Sequence, residues 1–323
     1  MTWQLHSASE FGNYREQWDE LNLRGSNSPV LNAAFIIHSL EELASGKEML
    51  AVHKEAGAID AMAVLRKSKF GVWDTFQPSQ APLGAWINNS DNDLQDLLKS
   101  LSSALPGIVL KLGLTQQDPA IYPRPADQGP ISTMDYIETA SVDTTGTFDD
   151  YWASRGKNLR HNLKRQRNRL KKEGVEPSLK TIRDPEQVRA AVEAYGKLES
   201  AGWKGQEGTA IEINNPQGKF YVALLEDFCN KEQGCIYQYF YNDDLVASDL
   251  CIEQAGVLVI LKTTYNESIS TSSPAFLMRQ DSFQEIFDSE RIKTIEFYGK
   301  MMEWHTKWSH DSRIIYHLNL KKF

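Results

Sequence analysis

The chain has 323 residues, 41% hydrophobic and 24% charged, the balance of an ordinary soluble globular protein with room for two domains. Its net charge of −8 argues against a general nucleic-acid binder. Three cysteines without CxxC spacing, seven histidines without an HExxH pair, no apolar run near the ~18–20 residues of a membrane helix and no leader-like start argue against a disulfide framework, a metal site and a transmembrane segment, and a cytoplasmic location is expected.

In chain order, "WQLHSA" reads as a strand and "FGNYREQWDELN" and "NAAFIIHSLEEL" as helices. "MLAVHKE", "AIDAMAVLRK" and "FGVWDTF" form a meander joined by tight Gly turns, "DNDLQDLLKSLSSAL" a helix and "GIVLKLGL" a strand. Pro/Gly-rich loops lie at "PSQAPLGAWINN" and "QQDPAIYPRPADQGP". The polar stretch "TASVDTTGT" (139–147) reads as a linker, which gives an N-terminal lobe over 1–145 and a C-terminal lobe over 146–323.

Residues 155–172 carry nine Lys/Arg and no acid, so one basic segment sits on an acidic body. On a helical wheel Trp152, Leu159, Leu163 and Leu170 form one narrow seam, which predicts a basic helix over 152–172 resting that stripe on the protein. Its cations are either a solvated face or a polyanion site for RNA, anionic lipid or the phosphates of a cofactor. No aromatics interleave them, so a single-strand stacking groove is not suggested.

"VEPSLKTIR" is a strand; Asp184, Pro185 and Gln187 then open a helix whose apolar positions are Val188, Ala191, Val192, Tyr195 and Leu198. A Gly-punctuated loop holding Trp203 and Lys204 leads to the helix "KFYVALLEDFCNK". Three strands follow through short turns, and antiparallel neighbours are the result. Ser273 and Pro274 open the next helix, and "IKTIEFYG" and "SRIIYHLNL" are strands. The order is β-α-α-β-β-β-α-β-β, and the first half repeats it loosely, as an internal duplication would.

That order resembles the GNAT acyltransferase fold. "FDDYWASRGKNLRHNLKRQRNRLKKEG", "ESAGWKGQEGTAI", "LKTTYNESISTSSPAFLM" and "FYGKMMEWHTKWS" resemble, in this order, landmarks of the CelD-like (cellulose-biosynthesis-associated) GNAT acetyltransferases, relatives of the FemABX peptidoglycan aminoacyltransferases. The resemblance covers mainly 148–310. It implies an α+β fold of tandem GNAT-like lobes, each a mixed, mostly antiparallel sheet flanked by helices. It also implies an N-acyltransferase with acyl-CoA as donor and a small-molecule amine or cell-envelope precursor as acceptor. Two other readings stay open: an aminoacyl-tRNA-dependent transferase, whose basic helix would hold tRNA phosphate, and a non-catalytic binding protein.

The helix opening at Ser272-Ser273-Pro274 offers free N–H groups and a positive dipole end, a ready anion site. The family motif has Gly where Ala275 stands here, and the resemblance sets Ser272, Ser273, Ala275, Phe276, Tyr298 and Gly299 along the donor. Lys262, Tyr265 and Glu267 match its Lys, Tyr and acid near the cleft, while Asn266 stands where an Asp is common. Lys262 either snorkels outward or pairs with Glu267 or Asp249. Glu267 and Asp249 are candidate bases, Tyr265 and Tyr298 candidate acids, and His305 is a further base on its ordinary near-neutral pKa. Trp203 and Lys204, with Lys307 and Trp308, are candidate substrate contacts: a wall or lid of the acceptor cleft, or core. The absence of GxSxG favours direct attack on the donor without a covalent enzyme intermediate.

Overall fold

The structure is a computed structural model that describes residues 2–89, 93–202 and 210–321. Two compact units divide the chain: Met1–Thr139 with Ser312–Phe323, and Ala140–Asp311.

The first unit runs β1 (Thr2–Ser7), α1 (Arg15–Arg24), α2 (Ala33–Leu43), β2 (Met49–Glu55), β3 (Ala58–Lys69), β4 (Val72–Thr75), β5 (Trp86–Asn88), α3 (Leu94–Ala104) and β6 (Lys111–Gln117). Its sheet order is β1-β2-β3-β4-β6-β13, where β13 is Asp311–Lys321, and β5 pairs with β3. β4 and β6 are parallel, and β1, β2, β3 and β4 follow one another antiparallel. Ala56 (φ 49°) and Gly57 (φ 89°) supply the left-handed pair that a two-residue hairpin needs between β2 and β3. Leu97, Leu98 and Leu101 of α3 fill the core beside Trp73, Trp86, Leu112 and Leu318.

The second unit begins at the end of β7 (Ile131–Asp143) and continues with α4 (Phe148–Ser154), α5 (Lys157–Lys172), β8 (Pro177–Ile182), α6 (Pro185–Ser200), α7 (Pro216–Asn230), β9 (Gly234–Tyr241), β10 (Asp244–Gln254), β11 (Val257–Tyr265), α8 (Pro274–Ser289) and β12 (Thr294–Glu296). Its sheet order is β8-β9-β10-β11-β12-β7, with β11 and β12 parallel and the other pairs antiparallel. α6 starts where its capping residues predict, with Asp184 accepting from the Glu186 N–H; α7 starts three residues before the expected Lys219, where Asn215 accepts from the Gly218 N–H and Pro216 takes the first helical position. Leu159, Leu163 and Leu170 of α5 share a core with Leu277, Met278, Phe283 and Phe287 of α8 and with Tyr237 and Tyr239 of β9.

The strand runs of the two units follow one plan. Each runs strand 1 to strand 4 in antiparallel succession, adds a parallel fifth strand, and closes on an antiparallel sixth. The loose repeat in the sequence is therefore a repeat of architecture.

Three expectations differ. The linker at 139–147 is largely strand: Ser141, Val142 and Asp143 of β7 pair with β12. The local pattern misled because the end of β7, Thr139 to Asp143, is small or polar apart from Val142 and runs directly into the polar stretch Thr144-Thr145-Gly146. The last strand does not join the second lobe; Leu318 and Leu320 of β13 pair with Leu114 and Leu112 of β6. The basic helix is two helices, because Arg155 turns extended (ψ 154°) and Gly156 caps α5. Trp152 thus stands on α4, stacked at 6.0 Å on both Phe148 and Trp308, while the three leucines keep the predicted stripe on α5. Among the described residues no helix is long and apolar enough to cross a membrane.

Candidate active site

β11 and β12 are paired only from Val257 to Val259 and from Thr294 to Glu296. Beyond Val259 the β11 edge on that side has no strand partner among the described residues, and Leu261, Lys262 and Thr263 become partly exposed there. A parallel pair that parts in mid-sheet leaves unpaired backbone groups facing a crevice, a natural place for an extended ligand.

The equivalent place in the first unit is filled. After the third β4–β6 pair, Asp74 with Gly113, the hydroxyls of Thr75 and Thr115 are hydrogen-bonded at 2.7 Å, and the Thr115 N–H donates to Thr75 Oγ1. Gly84 lies against both: a Cβ on it would meet Thr75 Oγ1 at 2.3 Å and the Thr115 carbonyl at 2.4 Å. α8 begins nine residues after β11 ends, whereas α3 starts well beyond β4 with β5 between them. Among the described residues, only the second unit pairs an open strand edge with a nearby helix start.

At that helix start a cleft of about 450 Å³ is lined by Arg165, Gln166 and Arg169 of α5 and by residues 270–273. Two guanidiniums and a helix N-terminus facing one cleft make it anion-selective. The backbone is less open than the capping pattern predicts. Gln166 Oε1 accepts the Ser273 N–H at 2.9 Å, and the Phe276 and Leu277 N–H groups turn back to the Ser273 carbonyl. Ser272 is buried with its hydroxyl on Tyr241 OH at 2.7 Å, and Ala275 is buried. Sequence reasoning missed Arg165, Gln166 and Arg169 as a set; their spacing of one helical turn on one side of α5 was the available signal.

Lys262 pairs with neither of the acids expected. Its Nζ lies 3.3 Å from Glu199 Oε1 and 5.7 Å from the Tyr221 ring centroid. Glu199 is 3% exposed, and its Oε2 accepts the Ile211 N–H at 2.8 Å. The signal was present: Glu199 continues the buried stripe Val188, Val192, Tyr195, so a charge lies in line with apolar positions. Burial first and the Glu199 carboxylate second push the Tyr195 hydroxyl pKa well up. Glu267 is exposed beyond β11 and faces Gly202, where a Cβ would stand 3.2 Å from its carboxyl carbon. Tyr265 is 44% exposed. Trp203 and Lys204 lie outside the described residues.

Asp249 is buried and meets Arg279 Nη2 at 3.3 Å, and the same nitrogen donates to Thr263 Oγ1 at 3.1 Å. Burial outweighs the guanidinium and raises the Asp249 pKa. The Arg279 guanidinium also lies 4.8 Å from the Trp304 ring and 5.5 Å from that of Phe297. Arg279 was missed by sequence reasoning, although it too lies on a buried helix stripe, between Ala275 and Ser282.

His305 does not have the near-neutral pKa expected of a base. It is buried, its ring stacks on Trp304 with centroids 3.5 Å apart, and Nδ1 accepts the Met302 N–H at 2.8 Å. Burial, and then the nearby Arg279 charge, bring its pKa down to about 4. Trp308 is fully buried against Trp152, Phe276 and Phe283, so it presents no face to a substrate. Lys307 is exposed, paired with Glu303 at 3.4 Å and 5.9 Å from the Phe276 ring. The chain leaves β12 through Tyr298, whose φ is 48°, and Gly299 follows it. The structure thus brings Lys262 to Glu199 and Glu267 to Gly202. It sets Asp249, His305 and Trp308 in the interior. Among the described residues no His/Cys/Asp/Glu group could hold a metal ion.

Residues 157–306 match the family model described as acetyltransferase (GNAT) domain. No curated protein matches. Solved structures match over nearly the full chain. The C-terminal domain of a candidate lysylphosphatidylglycerol synthetase from Agrobacterium fabrum is 11% identical with TM-score 0.61, covering 96% of this chain and 92% of that one. FemX is 8% identical with TM-score 0.59, covering 95% and 96%. L-PGS from Bacillus licheniformis is 14% identical with TM-score 0.56, covering 95% and 91%. The fold is a GNAT fold, a mixed sheet flanked by helices.

Proposed function

We propose that this chain is an N-acyltransferase that moves an acyl group from acyl-CoA to an amine in its second unit. One observation carries the reading: β11 parts from β12 just before a helix start whose cleft is flanked by Arg165 and Arg169. A thioester carrier with a pyrophosphate needs both features, a groove for its extended arm and a cationic cradle for its phosphates. The filled counterpart in the first unit supports placing the donor in the second.

In this reading the acceptor amine attacks the thioester carbonyl carbon. The C–S bond breaks, the amine's surplus proton passes to Glu267, and Tyr265 gives its proton to the departing thiolate. Both side chains are exposed next to the open end of β11. Lys262, held by Glu199, presents a cation for an anionic group of the acceptor. Asp249 and Arg279 hold the wall on which Trp304 and His305 rest, and His305 stays neutral. The four CelD-like segments fit this assignment, and a cell-envelope precursor is the acceptor class suggested by the names of the solved structures.

A second reading, an aminoacyl-tRNA donor, is favoured by a separate observation. Lys157, Arg160, His161, Lys164 and Arg167 line an open cleft of about 620 Å³ on α5, a cation row suited to a polyphosphate backbone. Thermal unfolding with CoA, acetyl-CoA or bulk tRNA at 50 and 200 mM salt separates the two. A rise in Tm with CoA that survives 200 mM salt supports the first reading. A rise only with tRNA, lost at the higher salt, supports the second; no shift with either leaves a binding protein without a donor.

A further inference from the structure

One end of the first unit carries an apolar cluster in water. Phe70 is 73% exposed, Ile108 61% and Leu110 48%. They are neighbours: the Leu110 N–H donates to the Gly71 carbonyl at 2.7 Å, and a Cβ on Gly71 would lie 2.8 Å from the Leu110 side chain. Val109, between Ile108 and Leu110, points into the core, so its two neighbours are turned outward together. Leaving a phenylalanine this exposed forgoes about 2 kcal/mol of burial.

The cluster is ringed by cations. β3 pairs with β2 only as far as Leu65, and its overhang carries Arg66, Lys67 and Lys69, all exposed. Across the sheet the register sets Lys69 opposite Val72, Val72 opposite Lys111, and Lys111 opposite the exposed Lys321. Asp74, mostly buried and opposite Arg66 in the register, lies 3.9 Å from Lys111. An apolar tip inside a basic collar, on a chain of net charge −8, is not explained by general solubility.

We propose that this end of the first unit docks on an anionic lipid bilayer, with Phe70, Ile108 and Leu110 entering the boundary between headgroups and acyl chains and the basic collar resting on lipid phosphates. The charge pattern selects this occupant. A protein partner or second copy would bury the apolar residues equally well, but a collar of one sign has no counterpart on a second copy of itself and fits a sheet of phosphates. The inference is independent of the transferase reading, because binding to lipid needs no turnover.

The test is co-sedimentation of the full chain with vesicles of phosphatidylcholine alone or with 30% phosphatidylglycerol. The expected result is binding to the anionic vesicles that weakens between 50 and 300 mM salt. Phe70→Ser with Ile108→Ser lowers the partition at least ~tenfold, and Lys67→Glu with Lys69→Glu removes the preference for phosphatidylglycerol. All four positions are exposed, and an unchanged Tm confirms that these variants fold. Failure of the wild type to sediment with anionic vesicles overturns the proposal. So does a loss of binding that follows Lys157→Glu with Lys164→Glu on α5 and not the collar variants. A lipid-free oligomer that Phe70→Ser dissociates, seen by sedimentation velocity, assigns the surface to a second copy and also overturns it.

Discussion

Lys262 Nζ lies 3.3 Å from Glu199 Oε1, so a cation in the middle of a strand is tied to the last turn of α6. The Glu199 side chain is 2% exposed and that of Lys262 is 18% exposed, so the acid is the more costly member to leave without its partner. We expect Lys262→Met to lower stability by about 3 kcal/mol. The double variant with Glu199→Gln should be more stable than Lys262→Met alone, because the amide removes the buried charge and still accepts the Ile211 N–H. Urea unfolding of the four proteins measures it; additive losses would show that the two side chains are not coupled.

Gly196 lies in the middle of α6, where alanine ordinarily gains about 1 kcal/mol. Here a Cβ would meet the Ile211 carbonyl oxygen at 2.3 Å. We expect Gly196→Ala to destabilise by about 2 kcal/mol, against the propensity scale, and a gain in Tm would contradict the close approach.

His305 carries a pH expectation. Its pKa falls from the usual 6.5 to about 4 on folding, so the unfolded chain binds the proton more readily. The contribution is fully present above pH ~6.5 and is lost as pH falls toward 4, at most about 3 kcal/mol in all. Comparing wild type with His305→Gln by denaturant titration from pH 7.5 to 4 should show a shallower acid slope in the variant. The same depression means that His305→Gln leaves the limb of a rate profile between pH 6 and 7 unmoved.

The cradle at the start of α8 makes a kinetic expectation. Arg165→Ala and Arg169→Ala should each raise KM for the CoA donor about tenfold with kcat at saturation nearly unchanged, as expected for contacts made equally in ground and transition states. Arg169 also pairs with Glu173 at 2.7 Å on an exposed face, a contact of small worth, so stability should change little. A fall in kcat with unchanged KM would move the donor elsewhere.

Much of the fold was legible. Helix starts announced themselves through Asp184-Pro185 and Ser273-Pro274, and hairpins through Ala56-Gly57 and Ala255-Gly256, because these signals are local; the Asn215-Pro216 start of α7 lies three residues before the one expected at Lys219. What could not be read was long-range. Leu320 pairs with Leu112 across more than 200 residues, and the alternation in "SRIIYHLNL" is the same whichever sheet receives it. The site divided in the same way. Lys262 stood out as a charge in an apolar strand, but Glu199, its partner, was hidden in a helix stripe far from it in sequence. Trp308 and His305 looked like site residues for their chemistry, and burial decided otherwise.

The exchange of closing strands has a consequence for how the chain acquires its shape. The second unit is complete once residue 311 has been made, since its sixth strand, β7, precedes all its others. The first unit waits for β13, the last strand in the chain, and until then β6 presents a bare edge. Chain topology therefore inverts the order of the sequence: the second unit can close without the first, and the first finishes only when its loop of 172 intervening residues, Ala140–Asp311, has been crossed. A released chain truncated at the start of β13 should hold a protease-resistant second unit and a first unit still open to digestion.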